Sequence, residues 1–191
     1  CYFICFYLDG SLSYIKGDYA DLVQCTEPLP PTVIANSVTS TSISVQIESS
    51  DGNDLDSSSL EQKVGTSGSY SEVSTTMVST LTGLSPGTEY YYRATLTANS
   101  LPSNYSEEVG ACTYPDTPSF IDASSTCTDT TATVTWTALS TSFTGYKVRM
   151  IGDPEGWIDK LTSTSHQFTG LDPIKGYSFQ LKSYYNCTPT S

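Results

Sequence analysis

Residues 82–90 read Thr-Gly-Leu-Ser-Pro-Gly-Thr-Glu-Tyr, and residues 169–177 read Thr-Gly-Leu-Asp-Pro-Ile-Lys-Gly-Tyr. Tyr177 stands 87 residues after Tyr90, and the nine positions align without a gap. Each stretch sets a proline-containing turn between a Thr-Gly-Leu and a tyrosine, which is how a chain leaves one extended segment and enters another. Self-similarity at a fixed long period means that one structural unit is copied along the chain.

Working outward, Ile43-Ser-Val-Gln-Ile47 parallels Ala132-Thr-Val-Thr-Trp136. Both alternate apolar and polar residues, the pattern of a strand buried on one face. A third, partial copy precedes them. Cys25-Thr-Glu-Pro-Leu-Pro-Pro31 parallels Cys112-Thr-Tyr-Pro-Asp-Thr-Pro118, again offset by 87. Tyr2, Ile4, Phe6 and Leu8 alternate as Tyr90, Tyr92, Ala94 and Leu96 do. The reading is therefore three units: 1–27 as the last two strands of a preceding unit, 28–115 as a complete unit, and 116–191 as a unit lacking its last strand. The proline-rich stretches at 28–31 and 115–118 are short, stiff linkers.

Composition narrows the function. The net charge is −12, with 8 Lys+Arg against 20 Asp+Glu. Such a chain repels phosphate backbones and anionic membranes, so no nucleic-acid partner is expected. No apolar run reaches 18 residues, and no membrane insertion is expected in this segment. Residues 2–8 are apolar but lack a basic flank and a cleavage site.

All-β units of this length, with these residues at these places, resemble the fibronectin type III module. Trp136 is similar to the tryptophan of that module's second strand, and Tyr90 and Tyr177 to its corner tyrosine. The resemblance implies tandem immunoglobulin-like β-sandwiches in which the tyrosine hydroxyl bonds back to nearby backbone. Ile47 departs from the pattern by standing where the family usually has tryptophan. Strands are expected near 32–38, 42–48, 58–65, 69–74, 76–82, 89–98 and 105–112 in the middle unit. In the last they are expected near 119–125, 130–138, 144–151, 156–161, 164–170 and 176–186. Parity assigns Ile43, Val45, Ile47, Leu60, Leu81, Leu84, Tyr90, Tyr92 and Leu96 to the middle core. It assigns Val134, Trp136, Tyr146, Val148, Phe168, Leu171, Tyr177, Phe179 and Leu181 to the last.

Six cysteines without a C-x-x-C pair suggest disulfides in an oxidising compartment. Antiparallel pairing of 1–9 with 17–25 sets Cys1 opposite Cys25. In the array, Cys112 ends one unit where the Cys187 loop of the next should lie. Cys5 and Cys127 then remain for bridges between chains or outside this scheme. Sequons at Asn104-Tyr105-Ser106 and Asn186-Cys187-Thr188 make Asn104 and Asn186 candidate carriers of N-glycans.

Catalysis finds no constellation. His166 is the sole histidine and shares strand parity with Phe168, which favours a structural role. There is no nucleophile elbow, phosphate loop or H-E-x-x-H segment. Asp51-Gly-Asn-Asp-Leu-Asp56 clusters oxygens that suit calcium, but these are also ordinary turn residues. No metal or cofactor is assigned. The loop Asn99–Tyr105 offers Tyr, Ser and Asn for adaptable contacts. The expectation is a non-enzymatic extracellular or cell-surface protein, structural or adhesive. Its partners would be itself, through head-to-tail strand or disulfide contacts in a filament, or other extracellular proteins. The alternatives are a ligand-binding receptor ectodomain and spacer domains of a secreted carbohydrate-active enzyme.

Overall fold

The computed structural model describes residues 26–50, 55–121 and 127–187. The partial unit read at 1–27 falls almost wholly outside these, with Cys1, Cys5 and Cys25, as do Asp51 to Asp54. The described chain is all β. In the middle unit, β1 (Thr32–Val38), β2 (Ser42–Glu48) and β5 (Val78–Thr82) form one sheet in the order β1-β2-β5. The facing sheet runs β4 (Ser71–Ser74), β3 (Ser57–Val64), β6 (Glu89–Ala98) and β7 (Leu101–Pro102), with β8 (Val109–Cys112) also paired to β6. The last unit repeats the plan. Here β9 (Phe120–Ile121), β10 (Thr131–Trp136) and β13 (Ser165–Thr169) make one sheet. The other consists of β11 (Gly145–Met150), β12 (Ile158–Leu161) and β14 (Phe179–Tyr184).

Alternation in the sequence becomes alternation in burial. Along β2, Ile43, Val45 and Ile47 are buried while Ser44 and Gln46 between them are not. They face Leu60, Tyr90, Tyr92, Ala94 and Leu96 across the sandwich. In the last unit Ala132, Val134 and Trp136 meet Tyr146, Val148 and Phe168. Trp136 packs edge-on against Tyr146 at 5.7 Å, and Phe168 stacks on Phe179 at 4.8 Å. Tyr177, Phe179 and Leu181 are partly buried against this core, as Leu81 and Leu84 are in the middle unit. Truncating a fully buried residue such as Leu60 to alanine costs about 2–5 kcal/mol.

The turns are copied as faithfully as the strands. Thr39 Oγ1 accepts the Ser42 N–H at 2.9 Å, and Thr128 Oγ1 accepts the Thr131 N–H at 3.0 Å. These hydroxyls mimic a backbone turn and set the entry of β2 and β10. The next contact is also duplicated: the Leu84 N–H donates to the Thr41 carbonyl and the Leu171 N–H to the Thr130 carbonyl, both at 3.0 Å.

Two strand expectations need correction. The segment expected as strand from 105 pairs regularly only over Val109–Cys112. Before that, serines hold it to β6: Ser103 and Ser106 each accept a β6 N–H through Oγ, from Leu96 and Ala94, at 3.0 Å. Their own N–H groups donate back to the carbonyls of those same residues. Side-chain oxygens thus replace half of the ladder. The strand expected at 119–125 is seen as Phe120–Ile121, and 122–126 lie outside the described residues.

Candidate functional site

Among the described residues, the joint between the units combines backbone anchors, a disulfide and a close glycine contact. It starts at Thr113, which is buried and clamps the end of β8 to the turn before β6. Thr113 Oγ1 donates to the Ser85 carbonyl at 2.7 Å and accepts the Thr88 N–H at 3.0 Å. The Tyr114 N–H donates to the Thr39 carbonyl, and the Tyr114 carbonyl accepts the Gly87 N–H, both at 3.1 Å. Two residues on, the Asp116 carbonyl accepts the Ser183 hydroxyl of the last unit at 2.5 Å. Only Pro115 lies between these anchors, and its φ is locked by its ring. A disulfide joins Cys112 to Cys187, with Cα atoms 6.3 Å apart, within the usual range for a bridge. On the other side, Gly87 meets the Ser142 carbonyl of the last unit so closely that no side chain fits there. A cleft of about 550 Å³ remains at the joint, lined among others by Tyr114, Pro115, Tyr184 and Tyr185.

Each unit also closes its own corner with a tyrosine. The Ser85 N–H donates to the Tyr90 hydroxyl at 2.8 Å, and the Asp172 N–H to the Tyr177 hydroxyl at 2.7 Å. Both bonds span five residues, at the aligned positions of the repeat. Residues 116–191 match the sequence profile of the fibronectin type III domain. A two-domain fibronectin type III segment of chicken tenascin shares the fold over 87% of this chain and 95% of its own, with a TM-score of 0.53 and 21% identity.

The described chain has the fold of tandem fibronectin type III domains, and residues 116–191 match that family.

Narrower similarities, with TM-scores of 0.43 and 0.42 and 19% identity each, are to the twitchin kinase region of C. elegans and to a structure titled as a myokine. The first covers 48% of this chain and 17% of that one, the second 46% and 99%. No curated protein sequence matches the chain.

The outer sheet faces of the two β-sandwich domains gather the basic residues. Five of the eight Lys and Arg side chains lie over aromatic rings there. In the middle domain, the Arg93 guanidinium sits between Tyr70 and Tyr105, 3.9 and 3.7 Å from the ring centroids. It is paired to Glu61 at 2.7 Å. Lys63 lies between Tyr70 and Tyr91 at 4.9 and 5.0 Å and pairs with Glu108 at 2.5 Å. Tyr70 also donates its hydroxyl to Glu108. The hydrogen bonds from Lys63 and then Tyr70 hold the Glu108 carboxyl below its usual range. Burial, then the bond to Glu108, pushes the Tyr70 hydroxyl above its own. This face is electrically closed, each cation carrying its acid.

In the last domain, Lys147 lies over Tyr184 at 4.8 Å, and Trp157 is approached by Arg149 at 4.6 Å and Lys182 at 4.4 Å. Asp159 is the acid here. The Leu161 N–H and then the Tyr184 hydroxyl, donating at 2.9 and 2.7 Å, hold its pKa below the usual range. Neither set of cations was found by the sequence reading, which followed the apolar positions of each strand. The signal was present in the other parity, at Lys147 with Arg149 and at Lys182 with Tyr184.

The other candidate residues fall as follows. His166 is half-buried, edge-on to Phe168 at 4.5 Å, with Nδ1 accepting from Lys160 Nζ at 3.2 Å. Burial, then the Lys160 charge, holds its pKa below 6.5. Asp56 accepts the Ser100 N–H at 2.9 Å, while the rest of the calcium candidate lies outside the described residues. The loop expected to be adaptable is tied down. Asn99 and Ser100 turn it through positive φ, Leu101–Pro102 pairs back to β6, and Tyr105 caps Arg93. Asn104 and Asn186 are exposed, but Ser106, the hydroxyl residue of the first sequon, is buried. Cys127 is exposed, and its backbone bridges to Ala132.

Proposed function

We propose that this chain is a non-enzymatic, extracellular structural or adhesive protein whose fibronectin type III domains form a stiff rod. Domains of this family occur in extracellular adhesive and structural proteins and in receptors. The observation that carries the reading is the joint. A proline flanked by backbone anchors, a disulfide, and a glycine pressed on the next domain leave little freedom for hinge motion. A spacer that merely tethers needs none of these. A rod that holds a fixed angle or bears tension needs all three. A disulfide between domains also fits an oxidising compartment. The non-enzymatic reading is supported by His166, whose ring is engaged by Lys160 and Phe168 and does not face the joint cleft.

Small-angle scattering of the oxidised 191-residue chain tests the rod. A single extended distance distribution that broadens on reduction is the expected result. A broad distribution with the bridge intact would refute it. Head-to-tail assembly into filaments is the finer part of the proposal. Electron microscopy of native, unreduced material decides it, and isolated rods would remove assembly while leaving the rod.

A further inference from the structure

We propose that Glu89, Cys112 and Cys187 form a redox-gated metal site, in which the two thiols set free by reduction of the joint bridge hold a zinc ion together with the Glu89 carboxylate. The proposal goes beyond the rod and does not depend on it.

The first observation is a convergence. The Sγ atoms of Cys112 and Cys187 and a carboxylate oxygen of Glu89 all lie within 4.8 Å of one another. Strand register brings two of them together. Glu89 of β6 stands directly opposite Cys112 of β8, so the two side chains leave the sheet on the same face. Cys187 arrives from the other domain, three residues past β14, where the Asn186 N–H donates to Thr144 Oγ1 at 2.8 Å. The Tyr91 hydroxyl, two residues along β6, donates to Glu89 Oε1 at 2.8 Å and fixes the carboxylate. Hydrogen bonds of this kind orient a ligand for its ion.

The second observation is a carboxylate that the oxidised joint does not use. Glu61 and Glu108 of the same domain each carry a cation. Among the described residues, Glu89 makes no ion pair within 4.0 Å. A neutral disulfide offers its charge nothing. The repeat puts Gly176 at the aligned position, so the corner before a core tyrosine does not itself require an acid. Reduction changes the electrostatics. Two thiolates beside a carboxylate set three negative charges in one small volume, and they repel one another unless a cation joins them.

The third observation is the fit to an ion. Zinc takes thiolate sulfur at about 2.3 Å and carboxylate oxygen at about 2.0–2.2 Å in a tetrahedron, which sets two sulfurs about 3.8 Å apart. With the Cα atoms 6.3 Å apart, rotation about the Cα–Cβ bonds opens the freed sulfurs to that distance. Three protein ligands leave the fourth position to water. Both cysteines line the joint cleft, which gives the ion its path. Thiolates select zinc over calcium and magnesium. The chemistry balances with a thiol reductant. It passes two electrons to the S–S bond and leaves as its own disulfide, while Cys112 and Cys187 each take up one proton. Zinc then displaces those two protons into solvent. Because the ligands come from both domains, the ion cross-links the joint that reduction has released.

The test is cobalt titration of the full chain after reduction with a phosphine, which leaves as its oxide with the oxygen of water. Cobalt stands in for zinc, and its thiolate charge-transfer and tetrahedral d–d bands report the ligands. The parent and the Cys112→Ser, Cys187→Ser chain share the other four cysteines, so the difference spectrum belongs to this pair. The reduced parent should take up one more equivalent in tetrahedral thiolate form, displaced by zinc, and the oxidised parent should lack it. Glu89→Gln keeps an oxygen for the Tyr91 hydroxyl, and it should weaken this uptake by about tenfold or more. Equal spectra for the parent and the two-serine chain, or undiminished uptake by Glu89→Gln, would overturn the proposal. Faster reduction of the bridge in Glu89→Gln, with cobalt uptake unchanged, would replace the metal site with a carboxylate that guards the disulfide.

Discussion

Gly87 of the middle domain lies against the backbone carbonyl of Ser142 in the last, and a methyl group at that position would overlap it. Gly87 also has φ near +58°, where a side chain is strained by about 1–2 kcal/mol. Gly83, at φ +73°, has open space around it. Gly83→Ala should therefore lower the stability of the middle domain alone. Gly87→Ala should do that and also change the angle between domains, visible as a shift in the scattering profile. Equal profiles for the two variants would mean that the Gly87 contact does not hold the joint.

The Cys112–Cys187 bridge makes a second prediction. It closes a loop across the joint with a sequence separation of 75 residues. Replacing both cysteines by serine should lower stability by about 3–5 kcal/mol in a chain-entropy account. Both sandwiches should still unfold cooperatively, since each core is complete without the bridge. Calorimetry of the two-serine variant reads both effects.

Two tyrosines two residues apart should respond oppositely to the same change. The Tyr90 hydroxyl accepts the Ser85 N–H, so Tyr90→Phe orphans a partly buried donor and should cost about 1–3 kcal/mol. Tyr177→Phe should behave alike in the last domain. The Tyr92 hydroxyl is buried with no hydrogen-bond partner, and burial pushes its pKa above the usual range. The repeat places Phe179 at the same position. Tyr92→Phe should thus be neutral or stabilising by about 1 kcal/mol. Denaturant midpoints of the three variants decide the matter.

His166 supplies a pH dependence. Its folded pKa lies below the ordinary 6.5, held down by burial and then by Lys160. The unfolded chain therefore takes up a proton first as pH falls, and stability declines from about pH 6.5 downward until the folded pKa is passed. Above 6.5 the contribution is fully present. His166→Gln should flatten the stability of the last domain between pH 7.5 and pH 5.5, above the carboxylate range. An unchanged slope would show that another group titrates.

The tandem β architecture and the inward-facing side chains were legible in the sequence. The copied turn at 82–90 and 169–177 set the period, and alternation along Ile43–Ile47 and Ala132–Trp136 named the core faces. These features are local: a strand's parity and a turn's residues act within a few positions, whatever lies across the sandwich. The corner tyrosines belong here too, because their hydroxyls reach backbone only five residues away.

The rest depended on partners distant in sequence. That Lys147 faces Lys182 and Arg93 meets Glu61 follows from strand register, which parity alone leaves open. The serines that lace 103–106 to β6 look like loop residues until that strand is beside them. Gly87 reads as an ordinary turn glycine, and the aligned Ile174 is 90% exposed. Only the packing of Ser142 onto Gly87 shows why one copy of the turn has lost its side chain. The sequence alone determined the unit, because its signals are short-range and repeat. The tertiary structure decided the joint and the charged faces, because these are made where elements far apart along the chain come within contact.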